Sequence, residues 1–278
     1  MNRCFSRTPH RRSACIALLG SALAPVLAPA AVVFHCVSDS NQLQAALTGS
    51  AADGNTDFVL LAPGTYVSPS GGFTALVQGK GDLLLIAGGF VPDGMGGCGA
   101  QSRSDPRQTV IDGGDANPGF TIHGDVDGEL IAIQNISVVH GRRDATEFEY
   151  GGGVSIDTSG TFPGNILIER VIFRGNVTSD SGALNLDMGS MTGTVTLRNN
   201  LFVDNQADNA AAFSFNGNAA SKYVIGNTFA NNTAANLNSL IPATLSKNGG
   251  NWGFSNNIFW GNLRPDQYDF VAAPSDLG

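Results

Sequence analysis

Four short segments of the chain carry a phenylalanine followed three residues later by an asparagine: FRGN at 173–176, FVDN at 202–205, FANN at 229–232 and FWGN at 259–262. A degenerate first copy, VVHG, stands at 138–141. The aromatic position holds Val138, Phe173, Phe202, Phe229 and Phe259, with the longest interval first. A recurrence of about 30 residues marks stacked units, none of which can bury its apolar face alone. It constrains the fold far more than the chemistry.

The period is readable at two places in each unit. One is the strand-like run into the aromatic: IAIQNISVV, ILIERVIF, VTLRNNLF, YVIGNTF and WGFSNNIF. The other follows a short way on: GGGVSID at 151–157, SGALNLD at 181–187 and AAFSFN at 211–216. Val154, Leu184 and Phe213 recur with the same period, in phase with the Phe column. Short strands joined by Asn- and Gly-rich bends at this period predict the coils of a parallel β-helix. Stacked at roughly 4.8 Å, equivalent residues would touch, giving an interior Phe ladder. Asn200, Asn227 and Asn257 form a second column, and Asn176, Asn205, Asn232 and Asn262 a third. Asn tolerates left-handed backbone at a corner, and its amide can bond its counterparts above and below. The alternative for these columns is a glycan-binding polar strip.

Upstream of the repeats, Val32 to Val37 reads as extended. Asp39 with Gln42 reads as a capping box ahead of a short helix, whose apolar stripe is Leu43, Ala46 and Leu47. FVLLAPGTY at 58–66 is a strand running into a Pro-Gly corner, and LLLIAGG, TVIDGG, GFTIHG and ELIAIQNISVVHG continue the β pattern to residue 141. The expected fold class is all-β, a single-stranded right-handed parallel β-helix of about eight coils with a short N-terminal capping helix.

Residues 1–30 read as an export signal, leaving one β-helix domain over 31–278. Arg3, Arg7, Arg11 and Arg12 precede an apolar run from Ile16 to Leu27, and Ala28-Pro29-Ala30-Ala31 supplies a small-residue cleavage site. No later run is apolar enough to span a membrane. Without the signal, 11 of the 15 basic residues remain against 23 acidic ones. That balance argues against nucleic-acid binding. It suits an exported protein that is secreted, periplasmic or held at the cell surface. The two cysteines outside the signal, Cys36 and Cys98, are expected to form a disulfide in an oxidising compartment.

The FxxN motifs followed by GGGV and SGAL resemble the FxxN and GGAI repeats of the chlamydial polymorphic outer-membrane proteins, which are surface adhesins. The capping helix and APGTY at 62–66 look like the first coil of pectate-lyase-like right-handed β-helix proteins. Together the likeness covers nearly all of the chain after the signal. It implies the fold and says little about activity. The lyase and hydrolase members imply paired carboxylates, or a carboxylate cluster for calcium with a basic residue. NTD at 55–57, His-Gly at 123–124 and 140–141, and RPDQYD at 264–269 each match such signatures only in part.

Chemistry is therefore sought where the period breaks. HGRRDATEFEYGG at 140–152 lengthens the first interval and gathers His140, Arg142, Arg143, Asp144, Glu147, Glu149 and Tyr150 in a charge-poor chain. Were the protein an enzyme, this loop would supply its acid and base; locally paired surface charges are the plainer account. Asp157, Asp187 and Asn216 follow equivalent strands, and Ca²⁺ could bridge the two carboxylates; hydrated acids at strand ends are the alternative. No other cofactor is expected. Trp252, Trp260 and Tyr268 form either a sugar platform or an aromatic plug. The tail from Pro265 to Gly278 is expected to fold over the last coil, unless the product is shortened. The leading functional expectation is a non-catalytic, adhesin-like scaffold binding extracellular glycans or other cell-surface ligands. A polysaccharide lyase or glycoside hydrolase, or a repeat protein without a ligand, are the alternatives.

Overall fold

The computed structural model describes residues 31–50, 55–77, 82–93, 97–101, 105–125, 127–143, 151–179, 182–218, 221–235, 245–247, 251–264 and 267–268. The signal segment 1–30, Asp144, Glu147, Glu149, Tyr150 and most of the tail lie outside these residues. Within them the chain is all-β: four stacked sheets, visited in rotation and paired in parallel from one rung to the next. Sheet 1 has eight strands, from Val32–Val37 and Thr56–Leu61 to Trp252–Ser255. Sheet 2 has seven, from Gly64–Val67 to Ile258–Trp260. Sheet 3 is made of two-residue strands from Arg142–Arg143 onward, and sheet 4 runs from Phe73–Val77 to Leu245–Lys247. The antiparallel strand pair among the described residues joins Leu263–Arg264 to Gln267–Tyr268.

The repeat positions fall in register. Phe173, Phe202, Phe229 and Phe259 pair directly across sheet 2. Successive ring centroids are 4.7, 4.9 and 4.9 Å apart, and the rings are nearly parallel, at 7°, 9° and 6°. The column extends beyond the sequence repeat through Val138 and Ile111 to Tyr66. Tyr66 is buried, and its hydroxyl lies 2.9 Å from the carbonyls of both Val37 and Ala62. Stacking of this kind contributes about 0.5–1.5 kcal/mol per aromatic pair beyond area burial.

Both Asn columns are ladders, buried except at the half-buried Asn257. Asn205 donates from Nδ2 to Asn232 Oδ1 at 2.9 Å and to the Phe173 carbonyl at 3.0 Å, while its Oδ1 accepts from the Asn176 backbone and side chain at 3.0 Å. Asn200 and Asn227 repeat the scheme at the corner between sheets 1 and 2. These amides are consumed by the scaffold, which leaves no glycan strip here. The left-handed residue is not the ladder Asn, as expected from sequence, but the residue before it. One corner holds Asn135, Arg170, Asn199, Gly226 and Asn256; the other holds His140, Gly175, Asp204, Asn231 and Gly261, all at φ between 49° and 65°. Each corner thus divides the work between a residue that bends the chain and an Asn that satisfies the bent backbone. The first corner also splits ELIAIQNISVVHG into two strands, Leu130–Gln134 and Ser137–Val139.

The helix Ser40–Gly49 forms as its cap signals predict. Asp39 accepts from the Gln42 N–H at 2.9 Å, and the Gln42 side chain reaches back to the N–H of Ser38, one residue earlier than in a standard box. Leu43, Ala46 and Leu47 are buried beneath it. Gln44 meets the first strand of sheet 4 as a neighbouring strand would: its amide donates to the Thr74 carbonyl and accepts from the Thr74 N–H, both at 3.1 Å. An edge that would otherwise invite pairing is covered. The expected disulfide is present: Cys36 in the first strand is bonded to Cys98 in the excursion after Leu83–Gly88.

A candidate ligand strip on the outer face of sheet 4

Strands of sheet 4 alternate strictly. Phe73, Ala75, Phe120, Ile122, Val154, Ile156, Leu184, Leu186, Phe213 and Phe215 point into the core. The residues between them point outward in two columns. The first is Thr74, Thr121, Ser155, Asn185 and Ser214, paired in that order. From Thr121 onward it is covered, with no member above 7% exposed. Arg143 helps to cover it by donating from its guanidinium to the Thr121 hydroxyl.

The second column is open. Leu76, His123, Asp157, Asp187 and Asn216 pair in order across five strands and are half-buried or exposed. His123 Nδ1 lies 2.7 Å from Asp157 Oδ1, and Asn216 Nδ2 donates to Asp187 Oδ1 at 3.0 Å. Each carboxylate has acceptor capacity beyond the one bond. At the N-terminal end the column runs into a cleft of about 270 Å³ between the helix and the sheet, lined by Leu47, Thr48, Thr74, Ala75, Leu76 and His123.

The backbone leading into this face is forced close to its neighbours. A Cβ at Gly152 would run into the Val177 carbonyl oxygen, and Gly151 and Gly182, the latter the counterpart of Gly152, hold φ of 95° and 75°. Hence the glycine shared by the GGGV and SGAL signatures: the approach to the strand lies close against the neighbouring rung, where only Gly or Ala fits.

The sequence-derived candidates are dispersed. His140 occupies a left-handed corner, its Nδ1 3.3 Å from Asp112 Oδ1. Arg142 is exposed, whereas Arg143 is buried in the scaffold at 4% exposure. Asp144, Glu147 and Glu149 lie outside the described residues. Trp252 packs against the core with edge contacts to Phe213 and Phe215, and Lys222 stands 5.4 Å from its ring. Trp260 is 73% exposed on the outside of sheet 2. The two indoles therefore do not share a surface; Tyr268 closes the last strand, and its side chain is outside what is described. Asp157 and Asp187 do stand side by side, each bonded to a different partner. No group of three or more metal-ligating side chains is found among the described residues.

His123 and Leu76 complete a strip of which the sequence suggests only the later half. Aligning FTIHG at 120–124 with VSID adds His123, because Ile122 pairs with Ile156 and His123 with Asp157.

Fold and site together define a class: an all-β protein of stacked parallel strands with a polar strip on the outer face of one sheet. No family model matches the chain, and neither a curated protein nor a solved structure matches it.

Proposed function

We propose that the four sheets are the faces of one right-handed parallel β-helix of an exported protein, and that the outer face of sheet 4 binds an extracellular glycan or a similar cell-surface ligand without turnover. The observation that carries this reading is the open column Leu76–His123–Asp157–Asp187–Asn216 beside a cleft. From His123 onward it repeats polar groups at strand spacing, about 4.8 Å, so a linear chain of sugars lying along the stack would meet a hydrogen-bonding group at each of these rungs. The right hand follows from the handedness of parallel crossover connections. A glycan array probed with the full chain tests the reading. The expected result is a discrete set of bound glycans, lost in the double variant His123→Ala/Asp187→Ala while the melting temperature holds. A blank array, or binding indifferent to the double variant, sinks it.

A second reading rests on the contact between His123 and Asp157. An imidazole oriented by a carboxylate beside a cleft is the arrangement of a general base. Incubation with soluble polysaccharides, followed for new reducing ends and for unsaturated products, separates a lyase or hydrolase from a binder. Cleavage abolished in His123→Ala would replace the binding reading with the enzymatic one.

A further inference from the structure

The cleft and the carboxylates that follow it differ in chemistry, and together they restrict what can lie on the strip. The hydroxyls on the cleft wall are already engaged. Thr48 donates to the Gln44 carbonyl at 2.8 Å and accepts from Gln44 Nε2 at 3.1 Å, and Thr74 accepts from the same amide at 3.3 Å. The rest of the wall is carbon, mostly that of Leu76, since Leu47 and Ala75 are 0% and 3% exposed. Away from His123, a sugar hydroxyl pushed into this space would lose its water with little replacement, which is unfavourable. A methyl-terminated substituent would not. One and two rungs from His123 stand the carboxylates of Asp157 and Asp187, about 5 and about 10 Å along the stack. In a chain of formal net charge −8 they favour a cation and repel uronic acids.

We propose that the strip selects a partially N-acetylated amino glycan, with an acetyl group in the cleft formed by Leu47, Ala75 and Leu76 and a free amino group of a following sugar at Asp187. This rests on the glycan-binding reading above and narrows it to one class. The cleft is small for a whole ligand, below the roughly 300 Å³ at which small-molecule sites usually begin, and suits one substituent of a longer chain. The two subsites act on different parts of that chain, so they can be removed separately.

The test is calorimetric titration of the full chain with five β-1,4-linked or comparable linear hexasaccharides: glucosamine with alternate N-acetylation, the fully acetylated and fully deacetylated forms, unsubstituted cellohexaose, and hexagalacturonate. The alternating hexamer should bind tightest, each uniform form about fivefold weaker, and the last two weaker still. Asp187→Asn should cost affinity only for hexamers that carry free amines, and that affinity should fall with added salt. Leu76→Asn, at a position 39% exposed, should cost affinity only for hexamers that carry acetyl groups. Equal binding of cellohexaose, or a Leu76→Asn loss that ignores acetylation, overturns the amino-glycan assignment and leaves the glycan reading standing. So does preference for hexagalacturonate. If no hexamer binds and the glycan array is blank, both readings fall. A basic peptide with an apolar residue at its start is the competing ligand class, and tighter binding of such a peptide than of any hexamer also overturns the proposal. The ligand series on the unmodified protein keeps the test decisive even if a variant folds poorly.

Discussion

The two sides of the stack obey different rules. On the side where sheets 1, 2 and 3 meet, corners repeat almost identically from rung to rung, and every repeat position is spent on its neighbour. On the side of sheet 4, the connection into the sheet changes length. The connections from Arg143 to Val154 and from Ala234 to Leu245 are twice as long as those from Thr178 to Leu184 and from Ala207 to Phe213. The outer residues of sheet 4 also change identity along the column, from Leu76 to His123 to Asp157, while its inner residues stay apolar. Rigidity comes from the side that repeats.

The comparison breaks first at the ladders. Asn205→Ala leaves the Asn176 N–H without its acceptor, takes one of two acceptors from the Asn176 side-chain amide, and removes a donor from both the Phe173 carbonyl and Asn232 Oδ1 in a fully buried corner. Unsatisfied buried groups cost about 1–3 kcal/mol each, and relaxation recovers part of this, so a loss of about 4 kcal/mol is expected in urea unfolding. Asn216→Ala, which removes an amide from the exposed strip, should stay within about 0.5 kcal/mol. Similar losses from the two would end the distinction between a structural and an open side.

This division also explains what sequence can reveal. Stacking compels like to sit on like, so Phe173, Phe202, Phe229 and Phe259, and the two Asn columns, are legible as spacing alone. The start of the same column is not, because Tyr66 and Ile111 satisfy the interior without repeating Phe. The left-handed corners are misplaced by one residue because Asn-Asn pairs at 199–200, 231–232 and 256–257 hide which member bends. His123 stays hidden for a different reason: an outward residue has no counterpart in the next rung that must match it. Arg143 shows the reverse error, since a charged residue in a charged segment reads as exposed but is buried and donates to the Thr121 hydroxyl.

The next effect concerns the capped end of the aromatic column. Burial raises the pKa of the Tyr66 phenol well above its ordinary value, with a further contribution from the Asp39 carboxylate. Above about pH 10 the unfolded chain releases this proton while the folded chain keeps it. The unfolded state then binds fewer protons, so stability falls as pH rises, by about 1.4 kcal/mol per pH unit from this one group. The contribution is fully present below about pH 10. Comparing pH-dependent unfolding of the protein with Tyr66→Phe isolates it: the variant should lose about 1 kcal/mol at neutral pH and show a shallower alkaline decline. Parallel declines would place the sensitivity elsewhere.

The smallest effect asks whether the regular side is itself optimised. Arg170 holds φ 53° in the corner column otherwise occupied by Asn135, Asn199, Gly226 and Asn256. A left-handed conformation costs an ordinary L-residue roughly 1–2 kcal/mol, a penalty Gly escapes and Asn partly avoids. Glycine also raises the entropy of the unfolded chain, which takes back up to about 1 kcal/mol. Arg170→Asn avoids that second cost and matches its column, so it should stabilise by about 0.5–1 kcal/mol, with Arg170→Gly nearer to neutral. The order of the two variants is the informative part. It separates relief of backbone strain from chain entropy, and a destabilised Arg170→Asn would mean that the arginine side chain, not its backbone, holds this corner.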